Sequence, residues 1–329
     1  MRKTIGLLVV LLGLTAASGG SFVGAQAMVR MDLNAIYPAS NFHSQGAMHF
    51  ADKVREATAG TVDITVHPGG SLGFKGPELL KAIMDGTLPM SDILMGVVAG
   101  SEEIFGLSTY PMIVGSYAEA RVFYDAAKPH YESACARWNQ KLLYAAPWPP
   151  SGLFTKKPLV TMADMEGLKT RTYDRNGALF LEKARGNPMS LPWGEVYSAL
   201  STGLIDSVLT SAVSGKDGTF WEVLDHFTKI NFAYPLNMVT INLDYWNALS
   251  PEQQQAMLLA AAEIEAAQWS ASESSNKASL EILATNGIAI AEMTPEIEEA
   301  LRGFAMEILD EFKARAGEDS RAALLAIDR

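Results

Sequence analysis

The residues of this chain that could do chemistry are few, and their spacing excludes more than it offers. Five histidines, His43, His49, His67, His130 and His226, form no HxxxH pair, and the single Cys135 completes no Cys/His zinc set. Gly69-Gly-Ser71-Leu-Gly73 matches the G-x-S-x-G pattern of a nucleophile elbow and follows a strand-like run. An elbow needs its serine at a sharp strand-to-helix turn. Here Pro68 intervenes before it and Gly76-Pro77 delays the helix, so a plain glycine-rich loop is the simpler reading. A secreted serine hydrolase using Ser71 stays as the alternative. No Walker motif and no dinucleotide fingerprint occurs, and no cofactor is implied. What remains is Arg171, in Gly167-Leu-Lys-Thr-Arg171-Thr-Tyr-Asp-Arg-Asn-Gly177. The stretch reads as a turn, a brief strand and a second turn opening a helix. It carries a guanidinium to a strand-to-helix junction, the place where α/β folds bind ligands. The rigid fork of donors matches a carboxylate bidentately.

Arg171 has suggestive company at loop positions next to strands. Tyr37 and Phe42 flank the first strand-to-helix loop, and Met95 ends a strand. Trp148 lies in a proline-rich crossing and Trp193 just before a helix. Thr210 and Ser211 end a later strand, and Asn237 lies in a return segment near Tyr234. Any one of them alone serves packing as well as binding. Together they describe a cleft with one charged anchor and aromatic walls.

The elements that must position these residues alternate between helix and strand. Residues 30–37 alternate like a strand, 43–58 have helical spacing, and Thr61-Val-Asp-Ile-Thr-Val-His67 alternates strictly. A short helix over 77–85 and a strand over 91–98 complete a β-α-β-α-β order, which implies a parallel or mixed sheet with helices on its faces. A mostly helical run over 116–140 is expected to break at Pro129, and a strand follows over 141–146. Pro147-Trp-Pro-Pro-Ser-Gly152 is the stiffest punctuation in the chain and marks a domain crossing. Alternation then restarts with Leu153–Phe154, Lys169–Tyr173, helices near 178–185 and 195–202, and a strand over 205–210. Ser250, Pro251 and Gln253 spell a capping box, and neither Gly nor Pro interrupts Glu252 to Asn286. At about 1.5 Å per residue such a helix spans roughly 50 Å, long enough to run along two domains. A kink near 272–276 would make it two helices. An amphipathic helix over 296–315 closes the chain.

Composition limits the class. Arg2 and Lys3 precede an apolar run from Ile5 to Ala17, then small residues suited to cleavage near Ala25 or Ala27. Residues 1–27 therefore read as an export signal, with an uncleaved anchor as the rival. The chain that follows is expected to be soluble outside the cytoplasmic membrane. Its net charge of −11 becomes more negative still once Arg2 and Lys3 are removed. That opposes binding to nucleic acid or anionic membranes, though a pocket can be locally positive. Cys135 cannot form an internal disulfide and reads as a buried small residue.

Four stretches carry a resemblance. They are Phe50-Ala-Asp-Lys-Val-Arg-Glu through Gly69-Gly-Ser-Leu-Gly73, Leu80-Lys-Ala-Ile-Met-Asp-Gly86, Ala163-Asp-Met-Glu-Gly-Leu-Lys-Thr-Arg171, and Pro192-Trp-Gly-Glu-Val-Tyr-Ser-Ala-Leu-Ser-Thr-Gly-Leu-Ile-Asp206. In this order and spacing the chain resembles the DctP-type periplasmic solute-binding proteins of tripartite ATP-independent periplasmic (TRAP) transporters, over essentially all of its length after residue 27. The resemblance implies a two-domain α/β periplasmic binding fold of class II type, with a long helix laid across both domains. Residues 28–149 with about 238–280 would form one domain, and 150–237 with about 281–329 the other. It implies that Arg171 binds a ligand carboxylate, that Trp193 lines the ligand, and that no reaction is catalysed. Thr210 stands where family members often carry a ligand-binding Asn. Ser151 stands where some carry a second Arg, which disfavours a doubly charged acid. The expected ligand is a small organic carboxylate, with an aromatic or hydrophobic monocarboxylate favoured. The expected partner is the membrane permease, or a sensor receptor in the alternative, with the protein itself a monomer.

Overall fold

The computed structural model describes residues 28–325, so the export-signal reading of 1–27 lies outside the described residues. The chain opens with β1 (Val29–Asn34), α1 (Phe42–Ala57), β2 (Val62–His67), α2 (Glu78–Met84) and β3 (Met90–Leu94). β1 pairs in parallel with both β2 and β3, the arrangement that helical crossovers impose. The strand expected over 91–98 stops at Leu94. Met95–Val98 turns into a 3₁₀ helix that swings the chain away from the sheet.

α3 (Tyr117–Arg137) is a single helix, so the break expected at Pro129 does not occur. Proline removes one amide donor, and the carbonyl it frees belongs to Asp125. Both residues are exposed, so water can take the lost bond. β4 (Gln140–Pro147) ends the first pass, and the chain crosses to β5 (Ser151–Thr155).

The second sheet then builds from β6 (Lys169–Thr172), α4 (Arg175–Lys183), β7 (Asn187–Ser190), α5 (Val196–Ser201), β8 (Ser207–Ser211), α6 (Ala212–Asp217) and β9 (His226–Lys229). The chain recrosses into β10 (Leu236–Asn242) and α7 (Leu243–Asn247). Last come α8 (Pro251–Thr285), β11 (Ala289–Glu292), α9 (Pro295–Arg315) and α10 (Glu318–Leu324). Two mixed sheets result, ordered β2-β1-β3-β10-β4 and β11-β9-β5-β8-β6-β7. The two crossings are hydrogen-bonded to each other: Trp148 N donates to Pro235 O at 2.7 Å, and Ser151 N to Ala233 O at 3.0 Å.

α8 is one unbroken helix of 35 residues, opened by the reciprocal Ser250–Gln253 capping box. Its first half places Met257, Ala260, Ala261 and Ile264 in the core under the first sheet. Further along, Leu280 and Leu283 pack into the core of the second. Between them Glu265, 5% exposed, accepts from Tyr124 Oη at 2.6 Å, from Lys128 Nζ at 3.2 Å and from the amide of Ala145 at 3.1 Å. One carboxylate therefore ties α8 to α3 and β4. α9 packs on α4 of the second sheet, whereas α10 returns to lie on α3.

Candidate functional site

Arg171 sits at the C-terminal end of β6, held between Met189 of β7 and Val208 of β8. Asp174, three residues on, caps α4 by accepting from Gly177 N at 2.9 Å, and this capped turn directs the chain away from the strand end. The guanidinium is buried, 4% exposed. Its Nε and Nη2 donate to the backbone oxygen of Leu191 at 3.0 and 2.9 Å, which fixes the orientation of the fork. Among the described residues no carboxylate forms an ion pair with it, and no protein acceptor takes its Nη1 donors. Burial alone pushes its pKa down to about 10. A buried cation lacking a counter-ion is costly, and an incoming anion relieves that cost.

Arg171 faces a cavity of about 730 Å³ between the two sheets. Six of the residues expected from sequence line it: Tyr37, Trp148, Arg171, Trp193, Thr210 and Ser211. Tyr37 meets Trp148 edge-on with ring centroids 4.8 Å apart, forming one aromatic wall. Trp193 forms another, at the start of a 3₁₀ turn before α5. Ser211 caps α6, accepting from Ser214 N at 3.2 Å. Ser151, in the place of a second arginine, lies 3.2 Å from the Tyr173 hydroxyl.

The other three expected residues stand outside the lining. Phe42 supports the wall from behind, 5.4 Å from Trp148. Met95 is fully buried in the hydrophobic core, because the 3₁₀ turn at the end of β3 rotates it inward. Asn237 lies under Trp148, accepting from its Nε1 at 2.7 Å and donating to Asp92 Oδ1 at 2.7 Å. Burial raises Asp92 to about 7. Asn237 thus orients a wall residue.

Several lining residues went unnamed in the sequence reading. Tyr173 and Asp174 were visible as neighbours of Arg171, and an Asp three residues before Gly177 is a readable cap signal. Arg175, Asn176 and Arg315 also line the cavity, and only tertiary packing brings Arg315 there from the far end of α9.

The two lobes touch across the cavity. Asn41 Nδ2 donates to Asp217 Oδ2 at 2.7 Å, linking the start of α1 to the end of α6. Asn176 Nδ2 reaches Gly106 O and Thr109 Oγ1, both at 3.0 Å. Asp174 presses on Gly96, where a Cβ would stand only 2.5 Å from Asp174 Oδ2. Ser71 lies elsewhere, in an exposed turn, with α2 starting only at Glu78. Among the described residues no histidine is hydrogen-bonded to it, and no three His, Cys, Asp or Glu side chains gather as a metal would need.

The family model for bacterial extracellular solute-binding proteins, family 7 (DctP), matches residues 33–315. The chain is similar to a marine metagenome TRAP solute-binding protein whose crystal structure holds co-purified pyroglutamate. That similarity has 32% identity and a TM-score of 0.88, covering 92% of this chain and 99% of that one. It is similar to DctP6 of Bordetella pertussis, an extracytoplasmic solute receptor binding pyroglutamic acid, at 32% identity and TM-score 0.88, covering 91% and 99%. It is also 28% identical to the 2,3-diketo-L-gulonate-binding periplasmic protein YiaO of Escherichia coli K12, over 69% of this chain and 70% of that one. With its two sheets and its α8 laid along both, the chain belongs to family 7 of the bacterial extracellular solute-binding proteins, the DctP-type receptors of TRAP transporters.

Proposed function

We propose that this periplasmic receptor captures a compact cyclic monocarboxylate of the pyroglutamate class and hands it to a TRAP permease. The observation that carries the proposal is Arg171, buried, aimed into the cavity by Leu191 O, and without a protein carboxylate of its own among the described residues. One carboxylate on the ligand would complete that fork. Tyr37, Trp148 and Trp193 would enclose a ring, while Thr210, Ser211 and Ser151 offer hydroxyls to an amide or keto oxygen. Two relatives at 32% identity that bind pyroglutamate support this ligand class. The three aromatic walls favour a second reading, an aromatic monocarboxylate. The crossings at 147–151 and 233–236 would act as the hinge, with the division of the chain at residues 149 and 237 that the sequence suggests.

A ligand that binds only the folded state raises apparent stability by about 2.7 kcal/mol when present at a hundred times its dissociation constant. Pyroglutamate should therefore raise the melting temperature measurably, with a smaller or absent effect from malate. No stabilisation by pyroglutamate, together with clear stabilisation by phenylpyruvate, would replace the first reading with the second.

A further inference from the structure

We propose that closure of this receptor over its ligand takes up a proton at Asp174. The inference rests on the receptor reading, since it concerns the same closed cleft.

Asp174 belongs to the lobe built on the second sheet, yet it is 6% exposed because the first lobe covers it. One carboxyl oxygen is used locally, accepting from Gly177 N to cap α4. The other, Oδ2, is buried without a hydrogen-bond partner. It faces Gly96 and Thr109, residues of the 3₁₀ segments Met95–Val98 and Glu103–Thr109 in the opposite lobe. Thr109 is already committed there, donating to Gly106 O and accepting from Asn176. Closure therefore strips water from a carboxylate oxygen and offers it only the Thr109 hydroxyl, whose proton is already given to Gly106 O. A protonated carboxyl carries its own donor, and the Thr109 hydroxyl oxygen in front of it can accept from that proton.

The charged and titratable groups around Asp174 pull in different directions. The Thr109 hydroxyl in front of it favours the ionised form most, followed by the Gly177 amide at the start of α4, Arg171 on β6 and the Asn176 amide. Tyr173 and Tyr110 flank it as buried phenols, with Glu103, Arg175 and Arg315 nearer Tyr110 at the mouth. Desolvation outweighs these attractions and raises Asp174 to about 6 in the closed form. A ligand carboxylate paired with Arg171 would cancel that charge's attraction and push in the same direction.

The sign follows from linkage. With the lobes apart, water returns to Asp174 and its pKa falls toward the ordinary carboxylate range. Closure is then unaffected by pH well above 6, and is favoured progressively as pH falls from about 6 toward about 4. Over that interval affinity should rise by an order of magnitude or more.

Calorimetric titration of wild-type protein with pyroglutamate, at pH 5.0 and pH 7.5 and in buffers of differing ionisation enthalpy, tests this. The expected result is about tenfold tighter binding at pH 5.0, with proton uptake from buffer. Asp174→Asn keeps an N-cap for α4 and adds an amide donor in place of the proton. It should bind with similar affinity at both pH values and take up no proton. Equal pH dependence in wild type and Asp174→Asn would overturn the proposal. If pyroglutamate binds at neither pH, the ligand reading fails separately. Spin labels at Lys81→Cys and Glu182→Cys, one per lobe, then decide the inference without ligand. The short-distance population should grow at pH 5.0 in the wild-type background and not respond to pH with Asp174→Asn. No growth in the wild-type background refutes coupled closure.

Discussion

Arg171 owes its role to three facts of different visibility. Its place at a strand end was legible, because a Gly-bounded run with a capping Asp three residues later can only be strand, turn and helix start. Its burial and its unpaired Nη1 were not, since both depend on Leu191 O arriving from the neighbouring loop. Asn237 shows the converse. It stands next to the cavity in sequence terms, but the strand pleat turns it under Trp148, and one residue of register decides such a matter. Replacing Arg171 with Ala should weaken carboxylate binding by at least about 2 kcal/mol, since the partner charge would be desolvated without a counter-ion. Arg171→Lys should also bind poorly. An ammonium cannot hold Leu191 O and present a second pair of donors in one plane. Titration calorimetry reads both, and near-wild-type affinity in the alanine variant would exclude the assigned role.

At the scale of elements, the long helix was the most legible feature and the strands of the return path the least. α8 announces itself through Ser250, Pro251 and Gln253 and through the absence of any breaker before Gly287. β9 and β10 carry no comparable punctuation. β10 is buried along its whole length as an antiparallel insertion between β3 and β4, so its sequence shows no alternation. Pro129 misled because a proline breaks a helix only where the freed carbonyl has no other partner, and burial is invisible in sequence. α8 also contains the inter-element tie that sequence could not show. Glu265 holds α3 and β4 through a phenol, a lysine and a backbone amide, with Arg121 3.6 Å away. Glu265→Gln keeps the shape and loses the charge, so it should destabilise the fold by about 1.5–3 kcal/mol, the worth of a charge-assisted bond. Chemical denaturation should show a lower midpoint with an unchanged slope. A midpoint equal to wild type would mean that the ties are redundant. Ligand affinity measured well below the transition should not change, because Glu265 lies outside the cavity lining.

At the scale of the whole molecule, the two crossings and α8 connect the lobes, and on the proposed reading the lobes move about the crossings. The crossings are short, bonded to each other and rich in proline, which makes them stiff pivots. The contacts that hold the lobes together beside the cavity include polar ones, Asn41 with Asp217 and Asn176 with Gly106 and Thr109, and apolar ones, Val213 against Tyr37 and Trp148 and Tyr110 stacked on Phe312. Each of these hydrogen bonds contributes about 0.5–1.5 kcal/mol net, a modest hold on the closed form. A ligand that touches Arg171 in one lobe and Tyr37 or Trp148 in the other adds binding energy only when the lobes meet, and that difference shifts the population. Small-angle scattering should therefore give a smaller radius of gyration with saturating pyroglutamate than without it. Gly96→Ala should block the change. Its new methyl would fall 2.5 Å from Asp174 Oδ2 across the closed interface, and 2.9 Å from the Thr109 methyl of its own lobe. The backbone at Gly96 lies outside the positive-φ region, so alanine strains no dihedral there, but its contact with Thr109 of the same lobe persists in the open form and should lower stability. The variant should melt somewhat lower without ligand, from the Thr109 contact, and should lose most of its affinity and show no compaction. Identical scattering curves for wild type with and without ligand, where calorimetry has confirmed binding, would mean that capture proceeds without closure.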